Sequence, residues 1–275
     1  MNAGALTKLG RTALDVTRLS FGTAPLGNLF EAVTDAEAEA ALEVAWNSGI
    51  RLFDSAPLYG HGLAEQRLGR FLRGKPRDSH TLASKVGRLL RAGVPPDPGQ
   101  SFVNTPPVNP VFDFSYDATM RSLDESLERL GLDRVDLLHI HDPDDHFKEA
   151  LNGSYRALDE LRSEGVIGAV GAGMNQWQML ERFAREGDLD CFLLAGRYTL
   201  LDQSAFSDLM PLALDRGIAI IAAGVFNSGV LAGPKPNARF NYQQAPPELI
   251  EKARRIAAVC ARLGVPLKTA RPRDC

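Results

Sequence analysis

Gly49-Ile50-Arg51-Leu52-Phe53-Asp54-Ser55-Ala56-Pro57-Leu58-Tyr59-Gly60 decides how the rest of the chain is read. Leu52 and Phe53 close a short buried strand, and Asp54, Ser55, Pro57 and Gly60 break it. Asp54 and Tyr59 are therefore expected just beyond a strand's C-terminal end, where parallel α/β folds keep their chemistry. Two further stretches end in the same way. Ala83-Ser84-Lys85-Val86-Gly87 finishes an apolar strand on a lysine, and Leu137-Leu138-His139-Ile140-His141-Asp142-Pro143 finishes another on a histidine. An acid, a phenol, an amine and an imidazole thus fall at successive strand ends.

Working outward, Thr7 to Val16 has short alternating runs about a Gly-Arg-Thr turn and reads as a β-hairpin. Arg18 to Thr23 is strand one, and Gly22 at its end lets a ligand approach the backbone closely, although a turn alone would explain it equally well. Thr34, followed three residues on by Glu37, predicts a capped helix running to Trp46. Strand two ends at Asp54, a helix spans Leu63 to Leu72, and strand three runs from His80 to Lys85. A helix from Tyr116 to Leu130 precedes strand four, Val135 to His141. Val166 to Gly171, Asp190 to Leu194 and Ile218 to Ala222 are strands five, six and seven. Strands alternating with helices imply right-handed βαβ units and a parallel sheet. With no Gly-x-Gly-x-x-Gly after strand one, the pattern predicts a TIM-type (β/α)8 barrel rather than a Rossmann sheet, occupying residues 1–275 as one domain.

Two segments exceed ordinary βα loops. Gly87 to Asp113, with six prolines from Pro95 to Pro110, is expected to fold over the catalytic face and to influence substrate choice. The other runs from Ala223 to Ala245.

Composition narrows the function. The chain has 275 residues, 44% hydrophobic and 24% charged, enough for a large core. A net charge of -3 without long runs of either sign gives no electrostatic case for nucleic acid. No stretch approaches the roughly 18 apolar residues of a membrane span, and the first residues carry no signal-like apolar run, so a cytoplasmic protein without membrane association is expected. Cys191, Cys260 and Cys275 lack paired spacing or nearby His ligands; neither disulfide nor metal is expected.

The strand-end series resembles the aldo-keto reductases, whose tetrad is Asp, Tyr, Lys and His in that order, within D-x-A-x-x-Y-G, a strand-end K and a strand-end H followed by x-P. The resemblance assigns catalysis to Asp54, Tyr59, Lys85 and His141. Each alone has a plain structural explanation, as a cap, a packing ring, a solvated tip or a core histidine; the order and context of all four carry the argument. The resemblance also implies that the hairpin plugs the barrel bottom and that NADP or NAD is the cofactor. Cofactor contacts are expected at Gly22, Thr23, Asp54, Asn175, Asn227, Ser228 and Gly229, the last three on a loop that straps the pyrophosphate. Runs such as Lys85-Val86-Gly87-Arg88, Ile140-His141-Asp142-Pro143-Asp144-Asp145-His146 and Gly171-Ala172-Gly173-Met174-Asn175-Gln176 look like the D-threo-aldose 1-dehydrogenase branch, which includes L-fucose dehydrogenases. That branch oxidises a sugar's anomeric hydroxyl to a lactone. The implied partner is a small sugar or carbonyl substrate; the particular sugar and the oligomeric state stay open, and a cofactor-binding regulatory subunit or an inactive fragment are the alternatives.

The chain departs from the family in three places. Gly173 and Met174 stand where many members carry Ser-Asn, which makes Asn175 the substitute for binding the nicotinamide amide. Ala195 stands where glutamine is usual. After Ala270 the family would continue into an eighth βα unit whose basic residues hold the adenosine 2′-phosphate, whereas this chain reads Arg271-Pro272-Arg273-Asp274-Cys275. A truncation or frameshift is expected, leaving strands one and seven as open edges, a poorly soluble chain with weakened cofactor binding, and no basis for choosing NAD or NADP.

Overall fold

The computed structural model describes residues 3–241 and 243–270. A hairpin of β1 (Leu6–Lys8) and β2 (Asp15–Thr17) leads into β3 (Ser20–Gly22), α1 (Asp35–Asn47), β4 (Leu52–Asp54), α2 (Leu63–Leu72) and β5 (Thr81–Val86). A second hairpin, β6 (Arg88–Arg91) with β7 (Asn109–Phe112), interrupts the alternation before α3 (Tyr116–Leu130) and β8 (Leu137–His141). A short α4 (Phe147–Glu149) runs through a wide turn into α5 (Tyr155–Ser163). Then follow β9 (Ala169–Met174), α6 (Trp177–Glu186), β10 (Cys191–Ala195), α7 (Leu209–Asp215) and β11 (Ala219–Ala223). A two-stranded ribbon, β12 (Arg239–Phe240) and β13 (Gln243–Gln244), and α8 (Pro247–Arg262) complete the described elements.

Seven strands form one parallel sheet in the order β11-β10-β9-β8-β5-β4-β3. Leu52, Ala83, Leu137, Ala169 and Cys191, one from each of five adjacent strands, meet in a single cluster with Leu9 and Val16 of the first hairpin. That requires the sheet to curl about them, with the hairpin closing its lower end. The side-chain period of two then puts Asp54, Lys85, His139, Gly171 and Leu193 in the next inward layer and His141 and Gly173 above it. The outward set, including Phe53, Leu82, Leu138, Ile140, Val170 and Phe192, packs under the helices as the main core. Parallel strands covered on both faces read as unbroken apolar runs, which is why β5, β8 and β9 could be recognised.

Local signals account for the helix starts. The Thr34 hydroxyl accepts from the Glu37 N–H and the Glu37 carboxylate accepts from the Thr34 N–H, which closes the capping box of α1. Ser115 caps α3, and Gly131 at φ 61° ends it.

Strand five differs from its expected place, Val166 to Gly171, by three residues. Gly165 at φ 74° and the Val166 N–H bonded to the Leu161 carbonyl still belong to the helix end, so the strand begins at Ala169 and runs through Gly171 and Gly173. Glycine there signals space rather than a turn: a Cβ at Gly171 would lie 2.3 Å from His139 Nδ1. The first long segment likewise contains an ordered hairpin, and its half-exposed β7 tolerates Pro110 because an edge strand needs no inward donor there.

Within the described residues β3 and β11 each have a sheet partner on one side only. A cleft of about 880 Å³ lies between them, lined by residues such as Leu19, Ile220, Phe226 and Leu267. Residues 271–275, including Cys275, lie outside the described residues.

Candidate active site

Asp54 and His141 end β4 and β8, Lys85 is the penultimate residue of β5 between them, and Tyr59 rises on the turn that follows β4. Lys85 Nζ donates to Asp54 Oδ1 at 2.5 Å and to the Ser55 carbonyl at 2.7 Å, and the amine is buried. The same ammonium lies 4.7 Å from the Tyr59 ring centroid. Tyr59 and His141 present their rings at 89° with centroids 5.8 Å apart. Four side chains from three separate stretches of sequence thus share one mouth at the C-terminal end of the sheet.

The electrostatics follow from burial. Loss of water raises the Asp54 carboxyl above its usual range, and the Lys85 ammonium pulls against that rise. His141 is held well below the ordinary imidazole value by burial and by the cations Arg88 and Lys85, so it is neutral at pH 7. Asp54 Oδ2 and His141 Nδ1 are buried with no hydrogen-bond partner among the described residues. His139, one layer beneath, is pushed down to about 3 by burial and by Lys85.

The expected cofactor residues divide into two groups. Gly22 has nothing within 4 Å of where a Cβ would stand, which leaves its backbone open. Thr23 is different: its hydroxyl donates to the Asp54 carbonyl at 3.0 Å and reaches Ser55 Oγ at 2.9 Å, inside the wall. Across the mouth, Asn175 Nδ2 donates to the Ala195 carbonyl at 3.0 Å and Asn227 Nδ2 to the Gly196 carbonyl at 3.0 Å, so both carboxamides converge on the end of β10. Asn227 Oδ1 is buried and unpartnered. Asn227, Ser228 and Gly229 all have positive φ, and Ser228 and Gly229 line a hollow of about 340 Å³ with Lys235 and Arg239.

The first long segment reaches this mouth as expected. The Phe102 ring lies tilted with its centroid 6.2 Å from that of Tyr59, and Phe102 pairs through a β-bridge with Leu29, while His61 Nδ1 meets the Val108 carbonyl at 2.6 Å. Arg88, at the base of its hairpin, donates to Asp142 Oδ2 at 3.0 Å.

The aldo/keto reductase family profile matches residues 18–270. The chain belongs to the aldo/keto reductase family. It is 46% identical to pyridoxal 4-dehydrogenase of Microbacterium luteolum, over 98% of this chain and 85% of the relative. Identity to D-threo-aldose 1-dehydrogenase of a Pseudomonas species is 45%, over 94% of this chain and 80% of that protein. The aldo-keto reductase of Bacillus halodurans, solved in its holo form, superposes with a TM-score of 0.69 at 26% identity, covering 86% of this chain and 72% of that one. The chain is accordingly an oxidoreductase.

Several residues that shape this mouth gave no motif. Gly27 is one: it meets Gly60, the last residue of the D-x-A-x-x-Y-G context, so closely that a Cβ on Gly60 would come within 2.6 Å of Gly27 Cα, and the pair fixes the turn that carries Tyr59. Arg67 is buried and ties the Leu26 and Val33 carbonyls, at 2.6 and 2.7 Å, to Asp35 at 2.8 Å. Glu65 joins Ser84, next to Lys85, to Arg129, each at 2.7 Å. The available signal was the pair of charges on the apolar stretch of α2.

Proposed function

We propose that the protein is an NAD(P)-dependent aldose 1-dehydrogenase that oxidises the anomeric hydroxyl of a sugar to a lactone, the same site serving aldehyde or ketone reduction in reverse. The observation that carries this reading is the Asp54–Lys85–Tyr59–His141 cluster at the strand ends, together with the 45% identity to D-threo-aldose 1-dehydrogenase.

In this reading Tyr59 is the base in oxidation and the acid in reduction. A phenol with an ordinary pKa of about 10 is poorly matched to neutral pH, and a cation beside it favours the ionised form. Lys85 supplies that cation, and Asp54 with the Ser55 carbonyl holds its ammonium in place. Neutral His141 hydrogen-bonds the reacting oxygen and sets its direction toward Tyr59.

A nicotinamide cofactor fits the residues present. Open space at Gly22, the unpartnered Asn227 Oδ1 and the positive-φ run through Gly229 beside Lys235 form a lip able to hold an amide and a pyrophosphate. The nicotinamide supplies the hydride acceptor. In this reading Asn175, whose Nδ2 is held by the Ala195 carbonyl, takes the amide, while Thr23 contributes by fixing the strand end rather than by contact. The relation to pyridoxal 4-dehydrogenase makes a cyclic hemiacetal of pyridoxal the competing substrate for the same chemistry.

Lactone formation from L-fucose with NAD or NADP tests the reading. Tyr59→Phe is expected to lower turnover about 10²–10⁴-fold while cofactor affinity stays within a few-fold. Activity within tenfold of wild type would remove Tyr59 from the proton transfer.

A further inference from the structure

Asp142 follows His141 directly, yet the tetrad chemistry leaves it without a part. The residue is held at φ 43°, a left-handed conformation that side chains other than Asn and Asp adopt reluctantly. Its N–H is tied to the Gly173 carbonyl at 3.0 Å, which locks this corner against β9. Arg88, carried in by the β6–β7 hairpin, donates to Asp142 Oδ2 at 3.0 Å and lies 4.5 Å from the Phe112 ring centroid. Asp142 Oδ2 is also 3.5 Å from His141 Nε2. Oδ1 accepts no hydrogen bond among the described residues, and the side chain stays 27% exposed at the mouth. Around it, His141 Nδ1, Arg88 Nε and Asp144 Oδ1 are buried without partners. Unpartnered polar atoms on this scale need a ligand or water to satisfy them.

Resting on the aldose reading above, we infer that Asp142 recognises the hydroxyl on the carbon next to the reacting one, with His141 taking the reacting oxygen and Arg88 holding the carboxylate in register. Oxygens on adjacent ring carbons stand about one hydrogen-bond length apart, and His141 and Asp142 are neighbours whose side chains approach to 3.5 Å at Nε2 and Oδ2, close enough for each to take one of two such oxygens. A hydroxyl donating to Asp142 Oδ1 makes a charge-assisted bond. The favoured substrate is therefore a 2-hydroxy aldose rather than a simple aldehyde or its 2-deoxy counterpart. Burial raises the carboxyl to about 6 against the pull of Arg88 from β6 and Lys85 from β5, with Asp144 of the same loop pushing the same way as burial and neutral His141 alongside; it is ionised at pH 7 and ready to accept.

The experiment compares kcat/KM for L-fucose and for its 2-deoxy analogue, in wild type and in Asp142→Asn and Arg88→Met, with cofactor binding followed by fluorescence to show that each variant is folded. Asparagine keeps the shape and tolerates the positive φ. Wild type is expected to prefer the 2-hydroxy sugar by on the order of 10- to 100-fold. Asp142→Asn should bring that ratio near one, Arg88→Met should lower it partway, and in wild type it should shrink as the pH falls below about 6. Equal losses on both sugars would show that Asp142 only orients His141, and an unchanged ratio would show that it does not meet the substrate; either overturns the inference while the dehydrogenase reading stands. A wild type that oxidises both sugars equally also overturns it alone, whereas one that oxidises neither overturns both.

Discussion

The two sides of the curled sheet are built differently. Across β4, β5, β8 and β9 every strand residue is buried, each strand is paired on both sides, and Asp54, Lys85 and His141 all stand on these strands. On the opposite flank β3 and β11 are each paired on one side, their residues are half-buried to exposed, and a cleft of about 880 Å³ separates them. Charge placement follows that difference. A buried ammonium such as Lys85 persists only where neighbouring strands fix a carboxylate and a carbonyl against it, and the closed wall is where the fold can do so.

Breaking the wall from within is expected to have the largest effect. Lys85→Met leaves Asp54 as an unpaired buried carboxylate, which should lower unfolding free energy by about 3–5 kcal/mol in a denaturant titration and remove turnover. The Asp54→Asn, Lys85→Met double variant should regain most of the stability and none of the activity, because it removes the charge and its complement together. A single variant that costs under about 1 kcal/mol would show that the pair is not fixed by the wall.

The second effect is acid sensitivity of the layer beneath the tetrad. His139 titrates at about 3 in the folded chain against an ordinary 6.5, so its contribution is present above 6.5 and is lost as pH falls from there toward 3. Between pH 7 and pH 5 that is about 2 kcal/mol of stability. His139→Leu should flatten the loss in urea midpoints over this interval by roughly that amount; a parallel pair of curves would mean that the imidazole is solvated in place. His80, lowered to about 4 by burial and by Arg77, acts in the same direction and should leave a residual slope.

Much of this layout was legible in the sequence, and the exceptions have a common cause. The capping pair Thr34 and Glu37, the bounds of α2 and α3, and the strand ends at Asp54, Lys85 and His141 were readable because they follow from local periodicity and from residues a few positions apart. The extent of β9 was not, because its start is set by the helix end at Gly165 and Val166 and because Gly171 is glycine for the sake of His139 on the neighbouring strand. Gly27, which must let Gly60 approach, falls in the same class, as do Glu65 and Arg67, whose partners lie 19 to 64 positions away. Thr23 shows the converse: a residue placed at the site by its motif position turns its hydroxyl inward to Asp54 and Ser55.

A gentler way to sharpen the contrast is native-state hydrogen exchange. Amides of β8 and β9, bonded on both sides, should open only with the whole fold, while those of β3 and β11 should exchange at least ~10-fold faster, a gap of about 1.4 kcal/mol. Uniform protection across all seven strands would mean that the flank is as firmly held as the wall.

The smallest effect on stability is expected at the first long segment, which sits above the wall and borrows order from it. Its base is part of the fold: Leu89 and Leu90 are buried, Arg91 pairs with Glu125 at 2.9 Å, and Asn109 Nδ2 holds the Val94 carbonyl at 2.7 Å. The tip from 95 to 100 is exposed throughout and makes few side-chain bonds, Asp97 accepting from the Gly99 N–H and Gln100 reaching His61. Excising the whole of Gly87 to Asp113 would therefore remove Arg88 and the buried leucines and destabilise the barrel, whereas replacing 95–100 by a Gly/Ser link should move the free energy by less than about 0.5 kcal/mol. Phe102, just beyond the tip and 6.2 Å from Tyr59, separates stability from selectivity: Phe102→Ala should raise KM for the sugar and leave the denaturant midpoint nearly in place. A large drop in midpoint with unchanged KM would assign the ring to packing, and the segment would then be a brace for the mouth instead of a wall of the substrate pocket.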